Sequence, residues 1–207
     1  QAEQILVGCK GLPVGAFRGG MVPDFLNTTQ GGSDYVLVYD LDLAKLAREI
    51  SYDVDNSSQV TAFDRVGYLV ELESSSSGAQ KVFVSMEAFT DDVTKIGIPT
   101  IDSQARFQQT VRSLDVFSLN GELTNGTGIK TGNIEFWPDN YAATNRKGIS
   151  GASSSVYDFG DDPGNPRDGY GSMQVHNFGA GQTVFSINHW TQGASADVGI
   201  GNSSGNT

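Results

Sequence analysis

The 207 residues carry a net charge of −11, only 18% charged residues, 26 glycines and one cysteine. That balance excludes a nucleic-acid binder, because no basic stripe exists to displace counterions from phosphates, and it disfavours docking on anionic membrane surfaces. No apolar run approaches the roughly 18 to 20 residues needed to span a bilayer, and Cys9 alone forms no intrachain disulfide.

Residues 1–22 are apolar, punctuated by Gly and Pro, and lack a helical period. They read as one extended arm before a domain spanning 23–207. Leu6-Val7-Gly8-Cys9 resembles a bacterial lipoprotein cleavage box, but only five residues precede Leu6. The plainer reading is a small apolar residue in a strand. Tyr35-Val-Leu-Val-Tyr39 is a run of β-formers expected as a central strand. Leu43, Leu46, Ala47 and Ile50 recur at helical spacing, so Asp40 to Ile50 is the one helix expected.

From Arg65 to Glu73 the chain alternates, with Val66, Tyr68, Val70 and Leu72 on one face. The serine loop Ser74 to Gly78 turns it into Lys81 to Met86, which predicts a hairpin. Phe89 to Val93 reads as an acidic turn, and Val111 to Leu119 as one alternating strand. Asn120-Gly121 and Asn125-Gly126 are turn dipeptides. Short apolar runs and Gly/Asp/Asn/Pro punctuation continue from Gly132 to Asn202. The fold class is therefore all-β: an antiparallel β-sandwich or jelly roll with at most one short helix.

Candidate chemistry is sparse. Gly148-Ile-Ser-Gly-Ala152 misses the nucleophile elbow because Ala152 stands where Gly is needed, so Ser150 reads as a loop residue and the chain as no enzyme. His176 and His189 are a candidate metal pair or acid–base pair, set against two hydrogen-bonded sheet histidines. Asp158, Asp161, Asp162 and Asp168 bracket a Gly/Pro loop able to offer oxygens to a structural Ca²⁺, the one cofactor considered; Asp91 and Asp92 form a second acid pair. The same acids serve equally as solvated turn residues. Asn27, Asn56, Asn125 and Asn202 open Asn-x-Ser/Thr triplets. Trp137, Tyr141, Tyr170 and Trp190 lie near turns, where exposed rings stack on sugars and buried ones fill cores.

Gly132-Asn-Ile-Glu-Phe-Trp-Pro-Asp-Asn-Tyr141, Gly151-Ala-Ser-Ser-Ser-Val-Tyr-Asp-Phe-Gly-Asp161 and Gly169-Tyr-Gly-Ser-Met-Gln-Val-His-Asn-Phe178 resemble a secreted bacterial domain, as do Leu37 to Leu46 and Phe89 to Gly97. This domain is common in planctomycetes and related environmental bacteria and is often labelled sialate O-acetylesterase-associated. The resemblance spans nearly the whole chain and implies an extracellular or cell-surface β-sandwich. The Ser-His machinery of the attached hydrolases is not in this sequence, so no catalytic residue carries over. In that family further strand-forming sequence follows Gly199-Ile-Gly-Asn202; here a Gly/Ser tail runs to Thr207.

An unclosed sheet edge beside an apolar arm suggests strand donation between subunits. The functional expectation is thus an extracellular structural subunit that polymerises with itself as a filament, with Ile5, Leu6, Val7, Leu12, Val14 and Phe17 packing into a neighbour. The arm folding back as an edge strand of its own chain is the competing arrangement. The alternative function is a carbohydrate-binding module of a larger secreted enzyme, with glycans as partners.

Overall fold

The computed structural model describes residues 3–10, 35–42, 52–74, 78–97, 107–118, 123–130, 132–137, 172–180, 182–189, 196–200 and 205–206. In chain order the strands are β1 (Glu3–Lys10), β2 (Val36–Asp42), β3 (Val54–Asp55), β4 (Arg65–Ser74), β5 (Gly78–Glu87), β6 (Phe107–Val111) and β7 (Leu114–Ser118). They continue as β8 (Gly126–Ile129), β9 (Gly132–Trp137), β10 (Ser172–Asn177), β11 (Gln182–His189), β12 (Ala196–Ile200) and β13 (Gly205–Asn206). One sheet has the order β3-β2-β1-β4-β5-β7-β8 and the other β13-β12-β11-β10-β9-β6. Neighbouring strands pair antiparallel throughout. The fold is all-β, as composition and punctuation imply.

The β4–β5 hairpin follows directly from its alternation. Ten consecutive pairs run from Arg65↔Glu87 to Ser74↔Gly78. Val66, Tyr68, Val70 and Leu72 point inward with Val82, Val84 and Met86, and all are buried. A side-chain period of two places every second residue on one face, so this register commits one whole face to the core. The second sheet brings Val111, Ile134, Met173, Val175, Val184, Phe185 and Ile200 to the same core. The rings of Tyr68 and Phe185 meet across it at 5.9 Å. Tyr68 buries its hydroxyl without an orphaned donor by giving it to the Ile96 carbonyl at 2.7 Å. Two sheets sharing one apolar layer is a sandwich-like arrangement.

Two irregularities redirect the chain. Against β1 the register of β2 slips between Val7↔Tyr39 and Gly8↔Leu37, which leaves Val38 as an extra residue. The bulge turns both Val38 and Tyr39 inward, so both are buried although adjacent. Tyr39 then stacks on Tyr52 at 4.4 Å and donates its hydroxyl to the Val93 carbonyl at 3.0 Å, which ties down the segment after β5. The second irregularity corrects an expectation. Val111 to Leu119 is not one strand: β6 ends at Val111 in one sheet and β7 starts at Leu114 in the other. The three-residue step from Val111 to Leu114 breaks alternation. Ser113 takes a left-handed backbone, φ 53, at the crossing. Arg65 holds the crossing, donating through Nη2 to the Ser113 carbonyl and to Ser85 Oγ, both at 2.9 Å, and pairing with Asp115 at 3.3 Å.

The helix expected from Asp40 is also corrected at its start. β2 runs through Asp42, with Leu41 buried and Asp40 paired to both Leu6 and Val54. Residues 43–50, with Leu43, Leu46, Ala47 and Ile50, lie outside the described residues. Among the described residues the only helical turns are 3-10 turns at Ser57–Gln59, Val93–Lys95 and Phe178–Ala180. The strand predicted at Tyr35 to Tyr39 is β2, and it is not central: among the described residues only the two-residue β3 lies beyond it.

On the outer face of the larger sheet, Tyr35 crosses over Gly67 to meet Phe83 edge-on at 5.3 Å, with Leu69 beside them. A Cβ on Gly67 would lie 2.9 Å from Tyr35 Cε2 and 3.0 Å from Phe83 Cε2. Gly67→Val is therefore expected to destabilise the chain by about 1–3 kcal/mol through overpacking. Urea unfolding monitored by circular dichroism checks it, and an unchanged midpoint would contradict this packing.

Candidate functional site

The site with the most elaborate construction is the slot that holds β1. In Glu3-Gln-Ile-Leu-Val-Gly-Cys-Lys10 the alternate residues Ile5, Val7 and Cys9 are fully buried in the shared core. Eight consecutive pairs join β1 to β4, from Glu3↔Leu72 to Lys10↔Arg65, and six join it to β2 across the bulge. On the outer face Gln4 Nε2 donates to Asp40 Oδ1 at 2.6 Å. Gly8 stands opposite Gly67, the residue over which Tyr35 lies, and Arg65 Nε donates to the Tyr35 hydroxyl at 3.3 Å. Burial pushes the Cys9 thiol up to about 12, so it stays protonated and unreactive in the folded chain. Within the fold Cys9 is the small apolar strand residue of the plainer reading.

This arrangement corrects the expected arm of residues 1–22 at Glu3–Lys10, while residues 11–22 lie outside the described residues. Glu3–Lys10 is neither an unpaired arm nor an edge strand; it is an interior strand with one ladder to β2 and one to β4. The reason is complementarity. Ile5, Val7 and Cys9 continue the inward rows Val70, Tyr68, Val66 on one side and Leu41, Tyr39, Val36 on the other. Leu6 is half-buried on the outer face. Leu12, Val14 and Phe17 lie outside the described residues. At the other sheet's edge, β13 pairs with Asp197 and Val198, so Gly205–Asn206 of the Gly/Ser tail supplies the outermost strand.

The two histidines are not brought together. His176 pairs with Thr183, whereas His189 lies six residues further along β11, about 20 Å away at roughly 3.3 Å per residue. His176 is fully buried, with Nδ1 2.7 Å from Asn133 Oδ1. An amide oxygen only accepts, so Nδ1 carries the proton in this pair. His176 thus sits in a hydrogen-bonded sheet position beside the buried amides of Asn133 and Gln174.

Asp92 is a turn residue. Its carboxylate accepts from the Thr94 hydroxyl at 2.6 Å and the Thr94 N–H at 3.0 Å, capping the 3-10 turn and holding its pKa below the usual carboxylate value. Among the described residues no three His, Cys, Asp or Glu side chains form a metal-holding group. Asp158, Asp161, Asp162, Asp168 and Ser150 lie outside the described residues.

Two of the four triplet asparagines are described, and both work for the fold. Asn125 accepts from the Ser118 N–H at 2.8 Å and donates to the Ser118 carbonyl at 3.2 Å, standing in for a strand neighbour just before β8. Asn56 Nδ2 donates to the Leu37 carbonyl at 3.1 Å. Asn27 and Asn202 lie outside the described residues, as do Tyr141, Tyr170 and Trp190; of the proposed sugar platform only the Trp137 backbone, at the end of β9, is described.

An open cleft of about 730 Å³ lies where β4 begins and β5 ends, with Phe63, Asp64, Glu87, Phe89 and Asp91 on its walls. Phe89 is spent on the core, and Glu87 binds Arg112 at 2.9 Å, so the cleft presents the carboxylates of Asp64 and Asp91 beside the partly buried Phe63. No local pattern points to this cleft, nor to the Gln4–Asp40 and Asn133–His176 contacts. Each joins residues more than thirty-five positions apart, and only strand register reveals them.

Asn125→Ala removes two main-chain contacts and is expected to cost about 1–2 kcal/mol by urea unfolding. Asn133→Leu leaves the buried His176 Nδ1–H without its acceptor and is expected to cost about 1–3 kcal/mol. Stability equal to that of the unaltered chain in either variant would contradict the role assigned.

No helix among the described residues is long and apolar enough to cross a membrane. Compared with known proteins, the chain matches no family model, no curated protein and no solved structure. The resemblance to sialate O-acetylesterase-associated domains therefore rests on the quoted sequence blocks alone.

Proposed function

We propose that this chain is a structural subunit that assembles with copies of itself by exchanging β1, outside the cell or on a bacterial cell surface. One observation carries the reading: β1 fills an interior slot of the larger sheet, between β2 and β4. β1 is held there by backbone ladders and by Ile5, Val7 and Cys9, with no covalent bond across the slot. The same strand from a second copy makes the same contacts, so exchange gives up no interaction already formed. Reciprocal exchange closes a dimer. Donation from each copy to the next leaves a free strand and a free slot at the ends, and repetition gives an open filament.

Strand addition suits this slot because both of its edges present open N–H and C=O groups once β1 leaves, and both are satisfied when a strand enters. Burying Ile5 and Val7 contributes about 1.5–3 kcal/mol each toward holding the incoming strand. The charge of −11 makes subunits repel, so assembly should strengthen with salt as screening shortens that repulsion. The reading assigns no catalysis to the chain.

The test locks β1 in its own chain. Gln4 and Glu71 stand directly opposite across the β1–β4 ladder, and both are half-buried on the outer face. In a Cys9→Ser background, Gln4→Cys with Glu71→Cys gives a pair that oxidation can bridge. The expected result is assembly by the reduced variant and by the unaltered chain, but only monomer after intrachain oxidation, read by light scattering and electron microscopy. Assembly that proceeds equally well with the bridge closed rules out exchange of β1.

A further inference from the structure

We infer that the slot between β2 and β4 is a sequence-selective acceptor for an extended peptide, in which Asp40 and the Gly67–Tyr35 pair fix the incoming strand's register. The inference rests on the strand-exchange reading but makes a separate claim: the slot discriminates among strands that all have the right apolar alternation.

Alternation by itself rejects only some errors. Sliding β1 by one residue would turn Ile5, Val7 and Cys9 outward and bury Gln4 in the core. Of the two slides by two, one would seat the Glu3 carboxylate where Ile5 lies, whereas the other brings Val7, Cys9 and Gly11 inward, which the inner pockets tolerate. The outer face does not. In the observed register Gly8 stands opposite Gly67, and the Tyr35 ring occupies the space over Gly67 where a side chain would lie, 2.9 Å from an added Cβ. Arg65 Nε and Phe83 hold that ring in place. A slip by two in one direction brings Leu6 opposite Gly67, and in the other Lys10. Paired residues on one face have Cβ atoms about 4.5–5.5 Å apart, so either side chain competes with the ring for the same volume.

The second check lies four residues away on the same face. Gln4 Nε2 donates to the Asp40 carboxylate at 2.6 Å, a charge-assisted bond that every slip breaks. The bulge at Val38, opposite the step from Val7 to Gly8, adds a fixed point on the β2 side. The ligand class is therefore an extended strand reading Gln-apolar-x-apolar-Gly, and β1 of another copy of this chain, Gln4-Ile-Leu-Val-Gly8, is its natural occupant.

The test uses the full-length chain and fluorescent synthetic peptides covering residues 3–10, all made with Cys9→Ser. Each peptide is added in excess, the mixture is taken through mild urea and back, and label retained on the protein is measured after size exclusion. Accessibility of the chain's own Cys9 to a thiol reagent reports release of β1 in the same samples. The unaltered peptide should be retained, and peptides carrying Gly8→Val or Gln4→Leu should be retained about tenfold less at equal concentration. On a chain carrying Asp40→Leu, the Gln4→Leu peptide should lose its disadvantage. Equal retention of all three peptides on the unaltered chain overturns the selectivity while leaving strand exchange intact. Retention of none, although Cys9 becomes reactive, overturns both.

Discussion

Insertion of β1 between β2 and β4 is the constraint on which the larger sheet depends. Without it, among the described strands, β2 and β3 have no ladder to the rest of that sheet, and β4 has an open edge. Ile5, Val7 and Cys9 also close the core row between the inward residues of β2 and β4. The pairing is non-local in the strict sense: β1 meets β4 about sixty residues further on. Such a contact forms only after a large closure entropy has been overcome. It is held by burial and by two ladders together, since individual hydrogen bonds contribute only about 0.5–1.5 kcal/mol each.

The polar groups do a different task. Arg65 gathers Ser85, Ser113, Asp115 and Tyr35, so one guanidinium fixes the point where the chain leaves one sheet for the other and the ring that lies over Gly67. Tyr39 and Tyr68 give their hydroxyls to carbonyls of Val93 and Ile96 and pin the segment after β5 against the core. Asn133 Oδ1 meets His176 Nδ1 across β9 and β10. Bonds of this kind add little net stability, but an error in any of them would strand a buried group at greater cost. They select one arrangement among those that the apolar pattern would permit.

How much of this was legible in the sequence depends on whether the deciding neighbour was local. The alternation of Val66, Tyr68, Val70 and Leu72 and the serine loop made the β4–β5 hairpin readable, because a two-residue period and a turn are local properties. Val38 and Tyr39 looked like a plain β-former run, and only the partner β1 shows that a bulge turns both inward. The three-residue step from Val111 to Leu114 carried a visible signal, a break in alternation, that marks the crossing between sheets. Asp40 to Asp42, expected to open a helix, are strand because pairing with β1 and burial of Leu41 claim them; the periodic residues Leu43 to Ile50 lie outside the described residues. The apolar character of residues 1–22 was plain, yet the partner of Glu3–Lys10 was not, since Gln4 meets Asp40 and Gly8 meets Gly67 through register alone. The triplet asparagines show the same limit: Asn125 reads as a modification motif and serves as a surrogate strand neighbour to Ser118.

Native-state hydrogen exchange of β1, read against β5, bears most directly on whether β1 is an exchangeable strand. If it leaves the sheet as a unit, the amides of Ile5 to Cys9 exchange through an opening well below global unfolding, and Cys9 becomes reactive in the same step. The amides of Val82 to Met86, secured between β4 and β7, then keep the protection set by global stability. Equal protection of both strands, with Cys9 reacting only on global unfolding, would contradict a releasable β1.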